Sequence, residues 1–388
     1  MSSSMISVGL FCRVLPKYRL GIYERLSQRP EIDLTVLYSK EPSYYSLKTV
    51  NPDGRFKSEL IEMRAWRFGK QEFLYHPDAS RLIKSGRFDV VILPGNPRLL
   101  SNFPALWACK KHRVGIVWWG MGTMPRQSGL TFYVRRKLMD IPEALVFYTK
   151  DEKKFFVSHG IPAEKVFVAQ NTICTMKEKE AAGKWSPDLL AAFARENGFL
   201  GSKIFLFCGQ LREKKRIDWL LSAFRDVLAK GYDYRLFIIG PDGTGGKFQN
   251  LASQKGLGDA ARFLGPIYAA EQLAPWFLSA RALVVPRAIG LAALHGFGFG
   301  LPCITSRDRR YQTPEAAALR DGYNSLMYED GNIDDLSTKI IQLGEDDSLH
   351  IELSCNARRT MEEEYTVDKM VDGFCEAIAY AKKQVSHR

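Results

Sequence analysis

No stretch of the 388 residues approaches the eighteen or more consecutive apolar residues that a membrane-spanning helix requires. The start, MSSSMISVGLFCRV, has neither the basic opening nor the small-residue cleavage site of a secretory signal. Cysteine is scattered: the seven, at 12, 109, 174, 208, 303, 355 and 375, form no C-x-x-C pair. The six histidines are equally dispersed. Both distributions argue against structural zinc and a disulfide framework, so reduced thiols in a cytoplasmic protein are expected. Repeats and low-complexity tracts are also missing. Hydrophobic and charged contents of 46% and 25% are those of an ordinary folded chain.

Charge, by contrast, is present and unevenly placed. Residues 1–175 carry 27 lysines and arginines against 15 acids, whereas residues 176–388 carry 28 of each. The net charge of +12 therefore lies in the first half. Arg98, Lys110, Lys111, Arg113, Arg126, Arg135, Arg136 and Lys137 follow one another with no acid between them. Trp118, Trp119, Leu130, Phe132, Tyr133 and Leu138 interleave with these bases. Such a mixture fits an anionic membrane surface or a lipid-phosphate acceptor. A solvated basic face gives the same pattern. No nucleic-acid-binding motif accompanies the charge, so nucleic acid is not expected as a partner.

A chain of this length is expected to hold two cores. Apolar runs at 6–11, 34–38, 90–93, 115–119, 145–148 and 166–169 read as buried parallel strands, with helical patterns between them. The alternation resumes at 204–208, 236–239, 262–264, 283–285 and 303–305. The expected fold class is therefore α/β, with two doubly wound, Rossmann-like domains facing a central cleft. The boundary falls in 171–203, where Ser186 and Pro187 open a helix that stops at Gly198. Met370, Phe374, Ile378 and Ala381 recur at helical spacing, so residues 366–388 are expected to form a helix docking on the N-terminal domain.

Four segments of the second half carry the chemistry. Strand 204–208 leads into Gly209, Gln210, Leu211, Arg212, Glu213, Lys214 and Lys215, a glycine turn with bases suited to a diphosphate. Strand 236–239 runs into Gly240-Pro241-Asp242-Gly243, and strand 262–264 into Gly265-Pro266-Ile267. The fourth segment, VVPRAIGLAALHGFGFGLPCITS at 284–306, predicts a small-residue helix starting near Gly290. Its first-turn amides would face an anion, and Leu291 and His295 would share one face.

This order resembles the C-terminal domain of the retaining GT-B glycosyltransferases called group 1, or glycosyltransferase family 4. The resemblance places the diphosphate-gripping lysine at Lys215, with Arg212 beside it, and puts Gln210 where the family's arginine is usual. Aligning on Gly300-Leu301-Pro302 puts the two signature glutamates at Arg287 and His295. The surrounding Pro286, Gly290, Leu291, Thr313, Pro314 and Glu315 are similar to a branch with histidine in the second position. That histidine would bond a ribose hydroxyl in place of the glutamate. Arg287 is open between contact with an acidic sugar and a surface arginine with no substrate role.

The resemblance further implies a nucleoside-diphosphate sugar, UDP- or GDP-linked, as donor, bound by residues 176–365, with no cofactor. No metal is expected, and the chain contains no D-x-D triplet of the kind metal-dependent sugar transferases use. Gly209, Gln210, Pro266, Ile267, Arg287, Gly290, Leu291, His295 and Glu315 are the donor-binding candidates; Lys215, Arg212 and His295 are the catalytic ones. Residues 1–175 would bind a glycan or polyprenyl- or lipid-linked acceptor. Lys17, Arg19, Asn96, Trp119 and Gly120 are its candidates; Met121 stands where the family often has histidine, and Tyr148 and Asn171 end strands nearby. Cytoplasmic placement with peripheral contact at the membrane's inner face follows. A nucleotide-sugar epimerase and a non-catalytic GT-B subunit are the competing readings.

Overall fold

The computed structural model describes residues 5–42, 48–69, 71–120 and 130–387. The chain divides into two units, Met1–Cys174 with Val367–Arg388, and Thr175–Thr366. In each, near-continuous apolar runs form strands because both faces of a parallel sheet are covered.

Unit 1 contains β1 (Ile6–Phe11), β2 (Ile32–Tyr38), β3 (Lys57–Leu60), β4 (Arg64–Phe68), β5 (Gln71–Tyr75), β6 (Val90–Pro94), β7 (Gly115–Trp119), β8 (Ala144–Phe147) and β9 (Val166–Val168). Seven of these form a parallel sheet in the order β3-β2-β1-β6-β7-β8-β9, so the winding direction reverses between β1 and β6. The reversal opens a crevice at the carboxyl ends of those two strands. β4 and β5 make a separate antiparallel ribbon that the sequence does not announce. The Val367–Ser386 helix buries Met370, Phe374, Ile378 and Ala381 against one face of the sheet. Its Gly373 is so close to β9 that a Cβ would collide with the Val168 carbonyl.

Unit 2 contains β10 (Lys203–Cys208), β11 (Tyr234–Ile239), β12 (Ala261–Gly265), β13 (Ala280–Val284), β14 (Cys303–Ser306) and β15 (Ser325–Tyr328). They form a parallel sheet in the order β12-β11-β10-β13-β14-β15, with the reversal between β10 and β13. The Pro187–Glu196 helix is capped by Ser186, whose hydroxyl accepts from the Leu189 amide, and Gly198 follows its end at φ +71°. The helix after Gly290 spans Ala292–Gly298 and so starts later than the sequence predicts. Gly290 has φ +64°, which a helical residue does not adopt, and Leu291 becomes the N-cap.

Candidate functional site

Three neighbouring strands of unit 2 end in glycine. The Gly240 amide donates to the Gly265 carbonyl at 2.9 Å, and the Gly209 amide to the Ile239 carbonyl at 2.9 Å. Gly240, at φ +147°, lies against Gly209 so tightly that any Cβ would meet the Gly209 carbonyl oxygen. This close approach leaves a side-chain-free floor at the carboxyl ends of β10 and β11. Pro266 and Ile267 continue from Gly265, with Pro266 exposed. Gln210 and Arg212 are half-buried beside the floor.

Lys215 closes a single turn, Glu213–Lys215, and its ammonium reaches back over Gly209. The Nζ donates to the Ala288 carbonyl at 2.9 Å, so it spans the point between β10 and β13 where the sheet reverses. Burial pushes the ammonium's pKa down to about 8, and Lys214 and Arg212 push the same way; Cys208 and Glu315 oppose them. A half-buried cation under one carbonyl on a glycine floor is suited to a diphosphate.

The loop after β13 is held from three sides. Ala288 has φ +50°, a left-handed conformation that costs a non-glycine residue about 1–2 kcal/mol. Its amide donates to the Tyr311 carbonyl at 3.2 Å, and the Ile289 amide to Gln312 Oε1 at 3.2 Å. Arg287 makes a two-pronged pair with Asp330, with Nε to Oδ1 at 2.7 Å. Its guanidinium lies 3.7 Å from the Tyr311 ring centroid and 4.5 Å from that of Trp219. The bond from Asp330 raises the Arg287 pKa. Burial works against the Asp330 charge, yet Arg287 and Ser306 hold that carboxyl below its ordinary value. Arg287 is therefore neither a solvent-facing arginine nor an empty receptor: the carboxylate in its fork is the protein's own.

His295 lies one turn into the Ala292–Gly298 helix and is 38% exposed, so it is not a sealed core histidine. Its Nδ1 is 3.0 Å from Glu178 Oε1. Glu315, buried in the Pro314–Ala318 turn, is near enough to act on Lys215. Beside Gly290 the Thr313 hydroxyl is buried without a hydrogen-bond partner. Glu178, Trp219, Tyr311, Gln312 and Asp330 escape the sequence reading, because each meets its partner only after folding.

In unit 1 the structure assembles Arg19, Trp119, Tyr148 and Asn171, but corrects the role expected of Arg19. Its side chain is buried: Nη2 donates to Asn171 Oδ1 at 2.6 Å, and the guanidinium lies 5.0 Å from the Trp119 ring and 5.9 Å from the Tyr148 ring. Lys17 is exposed. Asn96 Oδ1 accepts from the Arg98 amide at 3.0 Å, stabilising its own turn after β6, and the Gly120 amide donates to the Val146 carbonyl at 3.1 Å. Met121, Gly122 and Arg126 lie outside the described residues.

The basic stretch is also less free than its sequence. Lys110 pairs with the buried Glu143 at 2.5 Å, Arg136 with Asp140 and the Gly160 carbonyl, and Arg135 with the Gly95 carbonyl. What faces outward is aromatic as well as basic. On the Asn102–His112 helix Phe103, Trp107 and Lys111 fall on one stripe, with Trp107 60% exposed and Lys111 Nζ 5.1 Å over its ring. Lys137 lies 5.7 Å over the exposed Tyr133 in the same way. Exposed Trp66 and Phe68 stand on the ribbon, which is joined to the residues before the helix by Leu74 N to Arg98 O at 2.9 Å.

Among the described residues no helix is long and apolar enough to cross a membrane. Residues 202–346 match the family described as glycosyl transferases group 1. A D-inositol 3-phosphate glycosyltransferase of Streptomyces scabiei is 34% identical over 200 residues, 48% of this chain and 43% of the relative. An N-acetyl-alpha-D-glucosaminyl L-malate synthase of Bacillus anthracis is 25% identical over 178 residues, 46% of this chain and 45% of the relative. The chain thus spans less than half the length of these curated relatives. Among solved structures, Anabaena HepE in complex with UDP superposes with a TM-score of 0.73 at 14% identity, covering 97% of this chain and 100% of that one. The fold is that of the GT-B glycosyltransferases, and residues 202–346 are similar to the group 1 glycosyltransferase domain.

Proposed function

We propose that the chain is a retaining glycosyltransferase that moves a hexosyl group from a UDP- or GDP-linked sugar to a glycan or lipid-linked glycan. The pathway we infer is assembly of a cell-surface polysaccharide or lipopolysaccharide. One observation carries the reading: the Lys215 ammonium, half-buried over the glycine floor and bonded to the Ala288 carbonyl. In the proposed reaction the bond from the anomeric carbon to the diphosphate oxygen breaks. A bond to the acceptor oxygen forms on the same face, and the acceptor's proton passes to the leaving phosphate. Lys215 and Arg212 offset the charge that develops on the leaving group, without a metal. Chelator is then expected to leave the rate unchanged.

The test is transfer from radiolabelled UDP- and GDP-sugars, measured for the wild type and Lys215→Met. Loss of transfer with a melting temperature that does not fall supports the assignment; full activity in the variant sinks it. The replacement of both signature glutamates, at Arg287 and His295, favours a second reading as a non-catalytic nucleotide-sugar-binding subunit. Donor binding without transfer or hydrolysis selects that reading, and an epimerised donor with no glycoside selects the epimerase.

The partner we propose for unit 1 is an anionic membrane surface carrying the acceptor. Trp107 over Lys111 and Tyr133 over Lys137 pair an interfacial ring with a cation one turn later, the arrangement that suits a headgroup layer. Co-sedimentation with phosphatidylglycerol vesicles but not with phosphatidylcholine vesicles is expected, and equal binding to both overturns the charge argument.

A further inference from the structure

Glu178 has no place in the reaction just described. It belongs to the Met176–Ala182 helix, inside a KEKE run within the expected domain boundary. The structure leaves its side chain only 11% exposed. Neighbouring charges do not explain this. Lys179 pairs with Glu362 at 2.8 Å, and Lys184 is 3.6 Å from Glu180. The partner of Glu178 is His295, 117 residues later, with Nδ1 at 3.0 Å from Oε1, while Oε2 is buried without a hydrogen-bond partner. Holding a half-satisfied carboxylate out of water is unfavourable, so its position needs a reason beyond local charge pairing.

We infer that Glu178 is a positioning residue that fixes the tautomer of His295, so that the ring's Nε2 accepts a hydrogen bond from a ribose hydroxyl of the donor nucleotide. The inference rests on the donor site proposed above. An ionised carboxylate only accepts, so His295 Nδ1 must be the donor in their bond. The proton of a neutral imidazole is then committed to Nδ1, and Nε2 presents a lone pair. The opposite tautomer would present an N–H, which a phosphate oxygen satisfies fully, whereas a ribose hydroxyl meeting it through its oxygen would need another acceptor for its own proton. A glutamate at position 295 would offer the acceptor directly. Here the imidazole offers it, and the carboxylate has moved to the first helix of unit 2.

The experiment is a titration calorimetry cycle. The wild type, Glu178→Gln and Glu178→Met are each titrated with UDP and GDP and with their 2′-deoxy and 3′-deoxy analogues. The wild type is expected to bind the preferred parent roughly three- to tenfold more tightly than one deoxy analogue, the range of a single hydrogen bond. In Glu178→Met that ratio is expected to fall to about one, because Nε2 is no longer held as an acceptor. Glu178→Gln should lie between, since an amide satisfies either tautomer. The ratio compares two ligands on one protein sample, so a loss of folded fraction does not change it. A wild-type ratio of one, or a ratio unchanged in Glu178→Met, overturns the role of Glu178 and leaves the donor site standing. Failure of the wild type to bind either diphosphate overturns the donor site and this inference with it.

Discussion

Arg19 in unit 1 and Lys215 in unit 2 are both cations drawn away from water near the carboxyl ends of parallel strands, yet their surroundings differ in kind. Arg19 is enclosed by Tyr18, Trp119 and Tyr148 and bonded to Asn171, and its Nη1 lies 3.6 Å from Met370 Sδ. Lys215 has a backbone carbonyl, a glycine floor and a pKa drawn down to about 8. The first cation is compensated by the fold and holds it together. The second is placed at a cost that a bound diphosphate would relieve.

The sharpest way to break this contrast is to remove each cation in turn. Lys215→Met should lower transfer by roughly 10²–10³-fold and leave the melting temperature at neutral pH unchanged or raised, since the strained charge is gone. Arg19→Ala should do the reverse: about 2–4 kcal/mol of stability lost in urea unfolding, from the vacated cage and the lost bond to Asn171. Activity per folded molecule should change far less. If Arg19→Ala melts like the wild type, the distinction between the two cations is wrong. Between these extremes lies Asp330→Asn, which leaves the Arg287 guanidinium without its carboxylate. A loss of about 2–3 kcal/mol is expected, with a raised donor KM because Arg287 precedes the Ala288 carbonyl that Lys215 uses.

Titration sharpens the comparison further. The folded pKa of Lys215, about 8, lies below the ordinary lysine value of 10.5, so the folded chain holds fewer protons between those values. Its contribution to stability therefore rises with pH across that window. Affinity for UDP should run the opposite way, full below pH 8 and falling by up to roughly tenfold per unit above it. Lys215→Met should abolish both slopes; a slope that survives in the variant assigns the titration elsewhere. The smallest effect is expected at the surface of unit 1. Trp107→Ser should change stability by less than about 0.5 kcal/mol while weakening binding to anionic vesicles roughly three- to tenfold.

What the sequence made legible follows from the range of the interactions. Eleven runs of apolar residues announced sheet strands because burial on both faces leaves a local mark. β15 did not, since its SLMY is short and opens on serine, although all four residues are buried. The ribbon strand RAWRF reads as a charged, aromatic surface, and that is how it stands. The Ser186 cap was legible because a side chain and an amide three residues apart decide it. The pairs Glu178–His295 and Arg287–Asp330 were not, for they join residues 117 and 43 positions apart. The Lys215 turn lies between these cases: its glycine and its bases are local, but the Ala288 carbonyl comes from a loop 73 residues on.

The Val367–Ser386 helix has a consequence for synthesis. Unit 2 is continuous in the chain, whereas the sheet of unit 1 receives its covering helix only after all of unit 2 has been made. At typical elongation rates that interval is about 10–40 s. During it the nascent β1-β6-β7-β8 face, with Val8, Leu10, Ile92, Val117 and Val146, has no permanent cover. A ribosome stalled within unit 2 would therefore carry an exposed apolar sheet face, the kind of surface that chaperones bind. Emergence of the Val367–Ser386 helix, and not of the first 174 residues, is the event that lets unit 1 close.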